Sequence, residues 1–224
     1  MPRQIDTGSK QKALILEKAG ALFWDRGYDN TSIRQIARTC DFKSSNIYYY
    51  FRNKEHILFE LMSKELNQLI RSIKYLEEDE CVSCVDSLRS LIKIHCDLTL
   101  KNRRSSLRLL PDTELKRLSP RHRAKIIQAR DDYDRILRKI IRSGMDRGDF
   151  AQIDEKLAGF SIASVIVRSR IWFSPKGKYS VQEIADFIFD FVTKGLAGSN
   201  LCEQTAGAAG AKRMRSLQKR PAKS

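Results

Sequence analysis

No run of apolar residues in this chain approaches the roughly 18 in succession that a membrane-spanning helix needs, so no membrane partner is expected. The N-terminal MPRQIDTGSKQK is charged with no apolar stretch behind it, which argues against an export signal. Histidine is scarce: His56, His95 and His122 stand far apart, with no metal or triad partners in sight. Cysteine is odd in number and unpatterned, at positions 40, 81, 84, 96 and 202, which fits a reducing cytoplasm better than a disulfide scaffold. Cys81 and Cys84 make a C-x-x-C, but no second ligand pair accompanies it, so no metal is expected. A Ser/His/Asp set, a phosphate loop and paired carboxylates in a plausible site are all missing, so the chain is expected to be no enzyme, without catalytic residues or cofactor. Strand-like alternation is absent as well, which predicts an all-α fold class.

Acidic side chains are outnumbered, 27 against 42 Lys and Arg, for a formal charge of +15 and a pI near 9.8. An anionic partner, nucleic acid first, follows from that balance. Residues 1–56 hold ten basic against six acidic side chains, residues 57–198 hold 26 against 20, and residues 199–224 hold six against one. The charge is therefore densest at the two ends. Three regions are expected: a DNA-binding domain at 1–56, a helical body at 57–198 and a disordered basic tail at 199–224.

What is there is concentrated in TSIRQIARTCDFKSSNIYYYFRNKE, residues 31–55. Ser32 followed by Gln35 fits a capping box at a helix start, and Ile33, Ile36 and Ala37 share one apolar face. Phe42 and Ile47 supply contacts for a second helix, and Asn53 is a good N-cap for a third. This spacing reads as a helix-turn-helix. Its outward set is Arg34, Arg38, Lys43, Ser44, Ser45, Asn46, Tyr48, Tyr49 and Tyr50, short polar, basic and aromatic groups suited to phosphates and base edges. Three successive tyrosines fan over about 200° of a helix, so at most two can enter the core. Lys54 in the first turn of the third helix, beside free backbone N–H groups, suits a phosphate clamp. Upstream, Ile15, Ala19, Leu22 and Phe23 form an apolar stripe on a helix from Ser9 to Arg26, Gly27 stops it, and Tyr28 tucks back.

ILEKAGALFWDRGYDNTSIRQIA followed by IYYYFRNKEHIL resembles the N-terminal DNA-binding domain of the TetR family of bacterial repressors, over residues 12–60. By that resemblance Ser32 and Lys54 contact phosphates with Tyr49 and Tyr50 flanking them. Arg34, Lys43, Ser44, Ser45, Asn46 and Tyr48 face base edges. Two departures stand out: Asp41 occupies a turn position where the family usually has glycine, and Lys43, a poor cap, starts the reading helix.

The body reads as long helices over residues 53–75, 85–101, 121–147, 157–173 and 180–196, with an acidic turn at 77–80 and a broken basic stretch at 102–120. LAGFSIASVIV, containing Phe160, is apolar almost all round, which predicts burial on every side, with small residues leaving room for close neighbours or a cavity. The 180–196 helix has more apolar surface than one face can hide, so helices 121–147 and 180–197 are expected to pair with their copies in a homodimer. A two-fold dimer implies a double-stranded operator with inverted-repeat symmetry. TELKRLSPRHR, RDDYDRILRKIIRSGMDRGDF and RIWFSPKGKYS resemble the branch of the family that controls fatty-acid or steroid breakdown, which implies an acyl-CoA thioester as small-molecule effector. An apolar tunnel suits the acyl chain, lined by Phe160 and Trp172, and Arg103, Arg104, Arg168 or Arg170 suit CoA phosphates. A drug-efflux repressor with an aromatic pocket and an architectural DNA binder without ligand remain the alternatives.

Overall fold

The computed structural model describes residues 7–77, 83–101 and 115–196, and every regular element among them is helical. In chain order these are α1 (Thr7–Arg26), α2 (Ile33–Thr39), α3 (Ser44–Tyr50), α4 (Lys54–Ile73), α5 (Cys84–Cys96), α6 (Pro120–Arg147), α7 (Glu155–Trp172) and α8 (Val181–Leu196). A 3-10 turn, Lys74–Glu77, extends α4, and a π-helical turn, Asp97–Lys101, extends α5. The all-α fold class expected from the sequence is the one observed. Residues 78–80 of the acidic turn, the basic segment with Arg103, Arg104 and Arg108, and the tail at 199–224 lie outside the described residues.

Helix ends follow local chemistry. The side chains of Ser83, Ser119 and Asp154 accept backbone N–H groups at the starts of α5, α6 and α7, with Pro120 in the first turn of α6. Gly27 and Gly148, at φ of +82° and +80°, close α1 and α6 in the left-handed region where a Cβ would be strained.

Two apolar cores sit one beyond the other along the molecule. The first gathers Ile15, Ala19 and Phe23 of α1, Ile36 and Ala37 of α2, and Ile47 of α3 against Ile57, Leu58, Leu61 and Met62 of α4. Leu115 and Leu118, from the segment leading into α6, and Ile126 of α6 complete it. The second joins Leu69 and Ile73 of α4 to the inner faces of α5 to α8. Full burial of each such Ile or Leu stabilises by about 1.5–3 kcal/mol, which fixes α4 in both cores.

Two expectations for the body change. α7 is not buried on every side: Leu157, Phe160, Ile171 and Trp172 are 65, 47, 70 and 60% exposed, while Ile162 and Ile166 point inward. The cause is geometric, since one side of α7 meets the rest of the body and its other side has no neighbour among the described residues. Nor does α6 offer a free apolar face for a partner. Its Ile126, Tyr133, Ile136, Leu137, Ile140 and Ile141 are spent in the cores, leaving Ile127 as its one exposed large apolar side chain. The unpartnered apolar surface lies instead on α7 and α8, where Phe187 and Phe191 are exposed and their rings stack 6.4 Å apart.

The turn after α6 shows how tightly the second core is made. The carbonyl of Gly144 accepts from Asp149 N (2.8 Å) and Phe150 N (3.1 Å), and the Phe150 ring lies against Gly144 itself. A Cβ there would stand 2.2 Å from the ring. Gly144→Ala is therefore expected to destabilise the fold by about 1–3 kcal/mol, read as a lower urea midpoint at fixed protein concentration.

Candidate nucleic-acid interface and ligand cavity

The head is assembled from caps and turns legible residue by residue. The capping box forms as expected: Gln35 N donates to Ser32 Oγ at 3.2 Å, and Ser32 N donates to Gln35 Oε1 at 2.7 Å. Asp41 holds φ at +58°, taking the left-handed conformation usually left to glycine, and turns the chain from α2 into α3. Lys43 caps α3 with no side-chain hydrogen bond, so its ammonium stays exposed. Asn53 Oδ1 accepts from His56 N at 2.8 Å and starts α4.

Around these turns Ile47 is fully buried, and it sets the faces of α3. Arg34, Arg38, Lys43, Ser45, Asn46, Tyr48 and Tyr49 lie on the exposed surface, with Tyr49 82% exposed, and Ser32 is exposed at the start of α2. Ser44 is half-buried. Two of the expected contacts point elsewhere. Tyr50 packs against the first core, and its hydroxyl donates to Gln11 Oε1 at 2.7 Å, tying α3 to α1. Lys54 turns inward: its Nζ donates to the carbonyls of Tyr28 and Thr31, both at 2.8 Å, and sits 4.2 Å from the centre of the Tyr28 ring. Burial lowers its pKa, partly offset by the Asp29 carboxylate. The lysine thereby locks the loop between α1 and α2 onto the start of α4.

The body grips the head through the stretch before and into α6. Glu55 Oε1 accepts from Ser119 N at 2.9 Å and lies 2.8 Å from His122 Nδ1. The His122 ring stacks on Phe59 at 3.9 Å, and Arg117 forms an ion pair with Asp29. None of these pairings was visible in the sequence, because the partners are 60 or more positions apart.

A cavity of about 300 Å³ lies in the body between α4, the end of α5, α6 and α7. Its wall includes Leu66 and Leu69 of α4, His95, Thr99 of the π-helical turn, Tyr133 and Asp134 of α6, and Ala163 and Arg170 of α7. The small residues of α7 do leave a cavity. Of the expected ligand residues, Arg170 alone lines it, at 7% exposure; Phe160, Arg168 and Trp172 face outward. His95 Nδ1 is 2.8 Å from the Tyr133 hydroxyl. Burial, aided by the positive charge of Arg170, pulls the His95 pKa down to about 3, and burial pushes that of Tyr133 up. Both are neutral near pH 7. Sequence reasoning placed His95 and Tyr133 only as ordinary helix positions; a polar residue on the apolar face of each helix was the available signal.

Among the described residues no cluster of His, Cys, Asp and Glu could hold a metal ion, and no helix is long and apolar enough to cross a membrane. Cys84 and Cys96 are buried, and burial raises both thiol pKa values, that of Cys96 to about 12; Cys81 and Cys202 lie outside the described residues.

A helix-turn-helix head carried on a helical body with an internal cavity defines a DNA-binding regulator. Residues 15–61 match the family described as bacterial regulatory proteins, tetR family, and residues 82–196 match the tetracyclin repressor-like C-terminal domain. The chain belongs to the TetR family. It is 25% identical over 186 residues to the fatty acid metabolism regulator protein of Bacillus subtilis, across 81% of this chain and 93% of that protein. To the HTH-type transcriptional repressor KstR2 of Mycolicibacterium smegmatis it is 25% identical over 187 residues, across 83% and 90% of the two chains. Its fold superposes with a TM-score of 0.74 and 31% identity on the TetR family transcriptional regulator PfmR from Thermus thermophilus, across 81% and 98%.

Two stability measurements check the head. Lys54→Ala, which removes two charge-assisted bonds from a half-buried ammonium, is expected to cost about 1–3 kcal/mol. Tyr49→Ala should stay within about 0.5 kcal/mol of the parent. Equal losses would show that Lys54 does not hold the loop.

The Glu55 carboxyl also has a pH signature. Its burial raises the pKa, but the bonds from Ser119 and His122 prevail, and the value lies below the ordinary 4.5. The stability it supplies is full above its unfolded value and is lost as pH falls through the lower folded one. Comparing Glu55→Gln with the parent in urea between pH 6 and pH 3 should show a gap that closes with acid.

Proposed function

We propose that this protein is a sequence-specific repressor that acts in the cytoplasm, binding an inverted-repeat operator as a homodimer and leaving it when an acyl-CoA thioester enters the body. The observation that carries the reading is the surface of α2 and α3. A buried Ile47 anchors the reading helix, and Arg34, Lys43, Ser45, Asn46, Tyr48 and Tyr49 all face solvent together. In this reading Ser32 and Tyr49 meet phosphates, Ser44 to Asn46 meet base edges, and Lys54 and Tyr50 hold the head in shape. Residues 1–56 read DNA, and residues 57–198 dimerise and take the ligand.

The dimer forms across α7 and α8. Phe160 and Ile171 are eleven residues, about three turns, apart and so share a face of α7. With Leu157, Trp172, Phe187 and Phe191 they make an apolar surface that a lone chain would leave wet. Burying it against a two-fold copy presents two heads to two half-sites.

An acyl effector is supported by the relatives' control of fatty acid metabolism and by the cavity, which holds apolar wall beside a buried Arg170. Arg168, exposed one position beyond Val167 of the cavity wall, is available to CoA phosphates. Two arginines against one carboxylate in that wall disfavour the cationic compounds an efflux repressor would sense. Ligand shifts the equilibrium only by binding the DNA-incompetent form better, and α4 supplies the lever: Leu66 and Leu69 line the cavity while Ile57 and Leu58 lie in the head. The protein is no enzyme, and it should turn over no thioester.

Fluorescence anisotropy on DNA from upstream of its own gene, with and without acyl-CoA, tests this. Specific binding lost with thioester but not with free CoA is expected; binding without sequence preference would leave only an architectural role. Asn46→Ala should change the preferred sequence by about 1–3 kcal/mol at one position, whereas Tyr49→Ala should weaken all sequences alike. Phe187→Asp with Phe191→Asp should give a folded monomer in light scattering; an intact dimer would place the interface elsewhere.

A further inference from the structure

The reading helix is too short to place itself. α3 has seven residues, and its cap Lys43 makes no side-chain hydrogen bond at its start. An isolated helix of that length is not stable in water, so its position comes from what it packs against. Ile47 and the following cap Phe51 are fully buried in the first core. Apolar burial is non-directional, so it sets how deep α3 lies more firmly than how its outward side chains are aimed.

A directed contact comes from outside the helix-turn-helix. Tyr50, the last residue of α3, donates its hydroxyl to Gln11 Oε1 of α1 at 2.7 Å. Both side chains are half-buried, and they stand 39 positions apart. The neighbouring pair does the same: Lys12 Nζ lies 5.5 Å from the centre of the Phe51 ring and 3.3 Å from the Glu60 carboxylate of α4. The first turns of α1 therefore hold the C-terminal end of α3.

Tyr50 passes that constraint on. Its ring meets the Tyr49 ring edge to face, with centres 4.9 Å apart and planes at 88°, so the positive edge of one ring faces the negative face of the other. Tyr49 is exposed, and among the described residues the Tyr50 ring is the one aromatic ring it meets.

We infer that Gln11 is a positioning residue for DNA binding: it holds Tyr50, and Tyr50 in turn holds the exposed Tyr49 ring in the orientation that meets a backbone phosphate. The inference rests on the DNA-reading role proposed for α3 and Tyr49, and it adds a residue of α1 that acts without a DNA contact of its own. Its physical content is preorganisation. A Tyr49 side chain already aimed loses little rotamer freedom on binding, whereas an unsupported one gives up that freedom at each encounter. Because a phosphate contact carries no sequence information, the effect falls on all sequences alike.

Fluorescence anisotropy of the full-length protein tests this with two duplexes, DNA from upstream of its own gene and a scrambled duplex of equal length. Gln11→Leu removes the acceptor and keeps the bulk; Tyr50→Phe removes the donor and keeps the ring. Each is expected to weaken binding to both duplexes by about three- to tenfold, and the two together should do no more than either alone. In a Tyr49→Ala background the same substitutions should change binding by less than about twofold, because the group they aim is gone. A bond with a merely structural role would shift the urea midpoint and leave the affinity of the folded protein unmoved, so both are read on every variant. If Gln11→Leu does not fold, Tyr50→Phe decides alone. A loss that persists in full with Tyr49→Ala, or no loss in the parent background, would overturn the inference and leave the DNA-reading assignment standing. No binding of either duplex by the parent would overturn both.

Discussion

The structure depends on α4 being one uninterrupted helix that belongs to two cores. Twenty residues at 1.5 Å each make a rod of about 30 Å. Its first turns bury Ile57, Leu58, Leu61 and Met62 in the head, and its last turns bury Leu69 and Ile73 in the body. A helix cannot shorten or bend cheaply without a proline, a glycine pair or a bulge, and α4 contains neither proline nor glycine. Any displacement at Leu66 or Leu69, on the cavity wall, is therefore delivered to the base of the reading head as movement of a rigid part.

A rod alone would let the head swivel. The segment entering α6 prevents that by gripping the head away from the rod's axis, through Glu55 with Ser119 and His122, Arg117 with Asp29, and the buried Leu115 and Leu118. These contacts are polar at the edge and apolar in the middle, so they fix orientation as well as attachment. The same α6 supplies Tyr133 and Asp134 to the cavity wall. Head, grip and cavity thus share two helices, and a ligand that parts α4 from α6 acts on both attachments of the head at once.

How much of this could be read beforehand follows the range of the interactions. The capping box of Ser32 and Gln35, the caps at Asn53, the glycine stops at 27 and 148 and the left-handed Asp41 are set by residues within four positions of each other, and all were legible. Periodicity likewise gave the buried faces of α4 and α6. It says which residues share a face but not what that face meets. Phe160 and Trp172 look like pocket residues in an apolar helix, yet they lie on its outer side. Lys54 reads as a phosphate clamp, and nothing local to it signals that its ammonium donates to the carbonyls of Tyr28 and Thr31, more than twenty positions away. His95 and Tyr133, 38 positions apart, could be joined only by the fold.

The inward turn of Lys54 has a consequence for how the head can respond. The loop it holds runs from Tyr28 to Thr31 and leads directly into Ser32, the cap of α2. Asp29 in that loop is also the partner of Arg117 from the body, and the Arg117 guanidinium lies 5.6 Å from the Tyr28 ring centre. One four-residue loop is thus pulled by α4 through a lysine and by the segment before α6 through an arginine. A change in the distance between those two body elements bears on the start of α2 without passing through the core of the head. Both pulls are charged, but they differ in strength: water and salt can replace the exposed Arg117–Asp29 pair at small cost, while the half-buried Lys54 ammonium keeps its hold on the carbonyls of Tyr28 and Thr31. The head is held firmly by its apolar core and adjustably by its charges, which is the combination a reading head needs if it is to be both shaped and switched.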